Sequence, residues 1–148
     1  MLFKEYLESI NACHDAVDWA GGKTLDDCWQ TCDRPDWMLW LYERNTPDKM
    51  TCVKIAVYAA RLVLPLWQEK YPEDLRPQRA IEAAEKWVEN LSEETRQAAV
   101  AAGAWAVAAA RAAGSWAAGD NVNKTIADYI RTLIPIINIP EVTDEKSV

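Results

Sequence analysis

Cys13-His14 together with Cys28 and Cys32 forms the one group in this 148-residue sequence with metal-ligand character. Three thiolates and an imidazole would make a tetrahedral zinc set, and Cys28 and Cys32 share one helical face at a spacing of four. That spacing is not the tight two-residue knuckle of most structural zinc sites. Cys13 and His14, being adjacent, would also have to turn toward one ion. The first reading of Cys13, Cys28, Cys32 and Cys52 is therefore apolar thiols in a reducing compartment, and no metal or cofactor is expected.

His14 is the only histidine, so the usual general base of a Ser-His-Asp or Cys-His arrangement has no recognisable context. No nucleophile elbow, phosphate-binding glycine loop or His-Glu-x-x-His pattern is present. Paired carboxylates such as Asp33 with Asp36 or Glu82 with Glu85 could do acid-base work, but helix-start and solvent-face roles account for them. The expectation is a non-enzymatic protein.

Recognition chemistry is better represented. Arg34 and Arg76, each just before a proline, and Arg79 place forked donors near helix N-termini, where anions are welcome. The alternative use of these guanidiniums is an internal ion pair with Asp33, Asp36 or Asp74. Eight tryptophans are present, and Trp with Arg dominates binding hot spots. Trp37, Trp40 and Trp67, beside charged loop residues, are the candidate exposed anchors; Trp87, Trp105 and Trp116 read as fillers between slender helices. Asp33, Arg34, Asp36, Trp37, Trp40, Arg76 and Arg79 are the candidate partner-binding residues.

The elements that must position them are helical almost throughout. Phe3, Leu7 and Ile10 recur at helical spacing over 2–12, and a short helical piece over 16–20 ends at Gly21-Gly22. Thr24 or Asp26 can cap a helix to about Cys32. Asp33-Arg34-Pro35-Asp36 combines a capping carboxylate with a proline in the first turn, predicting a helix from Pro35 to Arg44. Its Trp37 to Tyr42 run is apolar nearly all round, so neighbours should clasp it. Thr46-Pro47-Asp48 starts a helix to about Leu64, where Pro65 ends or kinks it, with Lys54, Tyr58 and Arg61 as a polar stripe. Asp74-Leu75-Arg76-Pro77 starts another, to about Asn90, with Ile81, Ala84, Trp87 and Val88 inward. Ser92 to Thr95 opens the longest element, an alanine-rich run from Gln97 to Gly119 whose small side chains let other helices approach closely. A last helix spans about Val122 to Ile134. Arg131 four residues before Pro135 echoes Arg61 before Pro65.

The fold expected is all-α: a single-domain bundle of about six to seven helices around the alanine-rich central helix, over 1–138, with 139–148 a flexible tail. That length suffices to bury roughly two thirds of the unfolded surface without disulfides.

The net charge is −7, with eight acids between Asp15 and Asp48 against Lys23, Arg34 and Arg44. Such a balance disfavours nucleic acid and anionic membranes, which require clustered Lys and Arg, and favours a basic partner. Alanine is barely apolar and Arg111 interrupts the long run, so no membrane span is expected there. Charges at Lys4 and Glu5 stand where a secretion signal needs an apolar run, pointing to the cytoplasm. The small-residue faces of the long helix are compatible with packing inside one chain or across a homodimer.

Cys32-Asp33-Arg34-Pro35-Asp36-Trp37-Met38-Leu39-Trp40-Leu41, followed by the run from Asp74-Leu75-Arg76-Pro77-Gln78-Arg79 to Trp87 and a long alanine-rich helix with scattered Trp, resembles the Imm5-like family. The resemblance covers roughly Asp33 to Trp116. It implies a small helical protein of bacterial or bacteriophage genomes that neutralises a toxin or defence protein by direct binding in the host cytoplasm. Matched residue by residue, it points to Asp33, Arg34, Asp36 and Trp37 in the first motif and to Asp74, Arg76, Pro77 and Arg79 in the second. The competing readings are an acidic mimic of DNA charge that inhibits a nucleic-acid enzyme, and a small zinc protein or enzyme using Cys13, His14, Cys28 and Cys32.

Overall fold

The computed structural model describes residues 1–45, 47–90 and 119–143, and these form an all-α protein with no strand among them. Among the described residues seven helices follow in order: α1 (Phe3–Ser9), α2 (His14–Ala20), α3 (Leu25–Thr31), α4 (Pro35–Arg44), α5 (Lys49–Lys70), α6 (Arg76–Glu89) and α7 (Gly119–Leu133). Residues 91–118, with nearly all of the alanine-rich run expected to form the central post and with Trp105 and Trp116, lie outside the described residues.

Local chemistry sets most of the boundaries. Thr24 Oγ1 accepts the Asp27 N–H at 3.1 Å to open α3, and Asp48 Oδ2 accepts the Thr51 N–H at 3.1 Å to open α5. Both satisfy N–H groups that a helix start leaves without an internal partner. Gly21 ends α2 at φ 50°, a left-handed conformation that a side chain would strain. Pro35 and Pro77 sit in the first turns of α4 and α6, where a missing N–H costs nothing, and both rings are buried.

Two expectations change here. Asp33 does not cap α4: the cap position is Arg34, whose side chain makes no cap bond, and Asp33 is exposed. Pro65 does not end α5, which continues to Lys70. The segment beyond the proline is held by neighbours that offset the lost hydrogen bond. Gln68 Nε2 donates to Gln78 Oε1 on α6 at 3.3 Å, and the Trp67 and Tyr71 rings lie 4.6 Å apart.

The main core gathers Phe3, Tyr6 and Leu7 of α1, Val17 of α2, Leu25, Cys28 and Trp29 of α3, Met38 and Leu41 of α4, Ile55 and Ala59 of α5, and Ile126 and Ile130 of α7. A smaller cluster of Ala60, Leu64 and Ile81 joins α5 to α6. Helix α5 therefore serves both, packing on α6 and on α7. By length and composition α5 is also apolar enough to cross a membrane. Tyr58, expected in its polar stripe, instead stacks on Tyr129 of α7 with centroids 3.9 Å apart and planes 6° apart.

Helix α7 is joined to α3 by polar bonds across a hundred residues of sequence. The Trp29 indole N–H donates to the Ile134 carbonyl at 2.8 Å, and Gln30 Nε2 to the Pro135 carbonyl at 2.9 Å. Arg131 Nη1 donates to the carbonyls of Trp29 (3.0 Å) and Cys32 (2.7 Å), while its Nη2 reaches Asp128 at 2.8 Å. A guanidinium thus caps the C-terminal end of α3, where the helix dipole is negative. Arg61, its sequence echo, has a different use and pairs with Glu85 of α6 at the surface.

Beyond α7 the chain remains packed: Ile137 and Ile139 are buried, the latter 1% exposed, and the Thr143 N–H donates to the Met1 carbonyl at 3.0 Å. The segment expected to be flexible from 139 is thus held as far as 143 by apolar burial and by bonds to the first residue. Residues 144–148 lie outside the described residues.

Candidate functional site

Helix α4, apolar nearly all round and expected to be clasped by neighbours, buries Pro35, Met38 and Leu41. Trp37, Leu39 and Trp40 remain half-buried because the apolar run covers more of the helix than α7 and the core can reach. These side chains form one wall of a cleft of about 990 Å³. Trp19 and Ala16 of α2 line it too, with Leu7 of α1, Leu25 and Cys28 of α3, Ala59 of α5 and Ile126 of α7. Among the described residues its few polar lining groups are Asn11, Arg34, Asp36, Glu43 and Asn123.

The aromatic wall is dressed with cations from the same chain. The Arg34 guanidinium lies 4.3 Å from the Trp37 ring centroid, Arg44 4.3 Å from that of Trp40, and Lys23 Nζ 4.3 Å from that of Trp19. The Trp19 and Trp37 centroids are 6.0 Å apart, with the rings tilted. Each cation is drawn by the negative face of an indole while its charge keeps contact with water.

Arg34 also grips Asp36 through two parallel bonds, Nε to Oδ1 at 2.9 Å and Nη2 to Oδ2 at 2.7 Å. Partial burial of Asp36 works against its ionisation, yet the bonds and charge of Arg34, with backbone N–H groups of the first turn, hold its carboxyl below the usual range. The second motif repeats the fork: Arg76 donates to Asp74 at 2.9 Å and 2.8 Å, and the Arg76 N–H donates to Asp74 Oδ1 at 3.2 Å. Arg76 nonetheless stays 82% exposed, and Arg79 is exposed on the same helix.

The seven candidate partner-binding residues therefore divide. Arg34, Asp36, Trp37 and Trp40 line the cleft, and Asp33 stands exposed beside them; Arg76 and Arg79 lie on α6 and do not line it. Trp19, Leu39, Glu43, Lys23 and Arg44 were missed. A signal for three of them is in the sequence, since Trp19 with Lys23 and Trp40 with Arg44 are four apart, a spacing that brings a cation back onto a ring.

Cys13, His14, Cys28 and Cys32 do not assemble. Cys28 and Cys32 are buried, Cys13 and His14 exposed, and among the described residues no three His, Cys, Asp or Glu side chains converge on one point. Burial pushes the Cys32 thiol up, as it does the Cys52 thiol, where Glu43 and Asp48 add to the effect. Both are protonated, and Cys32 serves as core.

Arg76 holds the Asp74 carboxyl at about 2, well below its ordinary 3.8. A depressed carboxylate contributes stability that is complete above the unfolded value and is lost as pH falls through the folded one. Asp74→Asn should therefore lower the urea midpoint at neutral pH, and the gap to the parent should shrink from about pH 5 and close below about pH 2. A gap that stays constant over that range would mean that the pair contributes nothing to folding.

The geometry defines an all-α protein with an open, aromatic-walled cleft on its N-terminal helices. Residues 44–127 match the family model described as Imm-5 like putative immunity protein, and the chain belongs to that family. No curated protein and no solved structure matches it. The match begins ten residues beyond Arg34, so the Asp33 to Trp37 motif and most of the cleft lining precede it, whereas Asp74, Arg76, Pro77 and Arg79 fall inside.

Proposed function

We propose that this chain is a non-enzymatic binding protein of the bacterial cytoplasm that neutralises a toxin or defence protein by occupying a basic surface on it. The observation that carries this reading is the cleft: half-buried Trp19, Trp37, Leu39 and Trp40 beside exposed acids. Aromatic anchors bordered by charge are the usual make-up of a binding hot spot. Family membership supports a role in immunity, and the net charge of −7 supports a basic partner whose encounter it would accelerate.

A DNA mimic requires acids at phosphate-like intervals along one face. Lys23, Arg34 and Arg44, interleaved with the acids of α2 to α4, break such an array, and no observation favours it.

The test is co-expression with the products of neighbouring genes. A toxic product whose growth arrest is relieved by this chain, and which elutes with it as one complex, is the expected result. Persistent arrest and separate elution for every toxic neighbour would remove the proposal.

A further inference from the structure

We propose that the cleft of α1 to α4 receives an amphipathic helix of the partner, apolar on the face that enters and basic on the face left outside. The proposal rests on the reading of the chain as a binding protein and concerns what that protein grips.

At about 990 Å³ the cleft lies at the top of the roughly 300–1,000 Å³ typical of small-ligand pockets. It has room for several side chains. Among the described residues its lining is apolar apart from five side chains at intervals, so an extended peptide would carry backbone N–H and C=O groups into a place with few partners for them. No strand edge exists among the described residues to pair with such a peptide. A helix satisfies its own backbone and presents only side chains, the mode by which helices seat in apolar grooves.

Charge decides the outer face. The three cations between Asp15 and Arg44 are already engaged: Lys23 on Trp19, Arg44 on Trp40, and Arg34 on both Trp37 and Asp36. Asp15, Asp18, Asp26, Asp27, Asp33 and Glu43 make no ion pair among the described residues. From Asp15 to Arg44 seven acids stand against these three cations, an excess of four, and Glu43 in the lining with exposed Asp33 beside it gives the apolar opening an acidic border. Lys and Arg on the outer face of an incoming helix complement that border, whereas Glu and Asp would be repelled.

The probe is a synthetic 18-residue helix with Leu on one face and Lys on the other, compared with the same helix carrying Glu for Lys. Binding is read by tryptophan fluorescence and by backbone amide shifts of the isotope-labelled chain. The Leu/Lys helix should bind at least about tenfold more tightly than the Leu/Glu helix, a difference of about 1.4 kcal/mol, and should shift amides of α2 to α4. Asp33→Lys with Glu43→Lys should weaken it about tenfold, while Glu82→Lys with Glu89→Lys, the same charge change on α6, should leave it nearly unchanged.

Equal binding of the two helices, no binding, shifts centred outside α2 to α4, or equal weakening by the α6 pair would each overturn the proposal. Should the chain still form its complex with a neutralised toxin, and that complex be indifferent to Asp33→Lys with Glu43→Lys, the binding function stands and the cleft is not its site.

Discussion

Replacing Trp29 with alanine is expected to lower the unfolding free energy by about 4 kcal/mol, the usual scale for emptying a buried tryptophan site. Trp29 is 2% exposed in the main core, and its indole N–H holds the Ile134 carbonyl at 2.8 Å. The change thus opens a large cavity and leaves a carbonyl without its donor, a combined loss close to the whole stability of a marginal domain. Trp29→Phe separates the two effects. It keeps most of the ring volume and gives up the bond, so it should cost about 1–2 kcal/mol. Urea unfolding followed by circular dichroism checks both. Parent-like midpoints for the alanine variant would mean that α3 is not anchored by this ring.

Arg131→Met is expected to cost about 3 kcal/mol, because one guanidinium satisfies two carbonyls at the end of α3 and charge-assisted bonds are worth about 1.5–3 kcal/mol each before side-chain ordering is counted. Arg131 is 14% exposed, so water replaces its bonds poorly. Methionine retains the length and apolar stem, which confines the loss to the polar head. Because Trp29 and Arg131 meet at the same turn, the double variant should lose less than the sum of the single losses. Additive losses would show that the indole and the guanidinium act as separate anchors.

The helices were legible wherever a proline start preceded an apolar run. Pro35 to Arg44 is such a case, and its bounds in the structure are those read from the residues. The ends of α5 and α1 were less so. Pro65 is a strong stop signal by itself, but packing of α5 against α6 outweighs it, and that packing is tertiary information. Tyr58 shows the same limit: its hydroxyl reads as polar, while its ring is spent on Tyr129, seventy-one residues away.

The candidate site was half legible. Arg34, Asp36, Trp37 and Trp40 are adjacent in sequence and so arrive at the cleft together. Glu43 follows Trp40 by one turn of the same helix, whereas Trp19 joins them only because its ring on α2 comes to 6.0 Å from that of Trp37 on α4, which no local pattern records. The fork of Arg34 on Asp36 and of Arg76 on Asp74 was among the alternatives read from their spacing, and both forks formed.

The bonds between α3 and the stretch after α7 have a bearing on when the chain can fold. Trp29 and Ile134 are 105 residues apart, and Gln30 and Pro135 equally so. A ribosome releases the first long before the second, so α3 leaves the tunnel without its capping guanidinium and without the acceptor for its indole. Closing so long a loop is slow and is rewarded only at the end. Through most of synthesis the N-terminal helices, with their tryptophans and acids, therefore wait unfinished, and the aromatic wall takes its final form only after Ile134 has emerged.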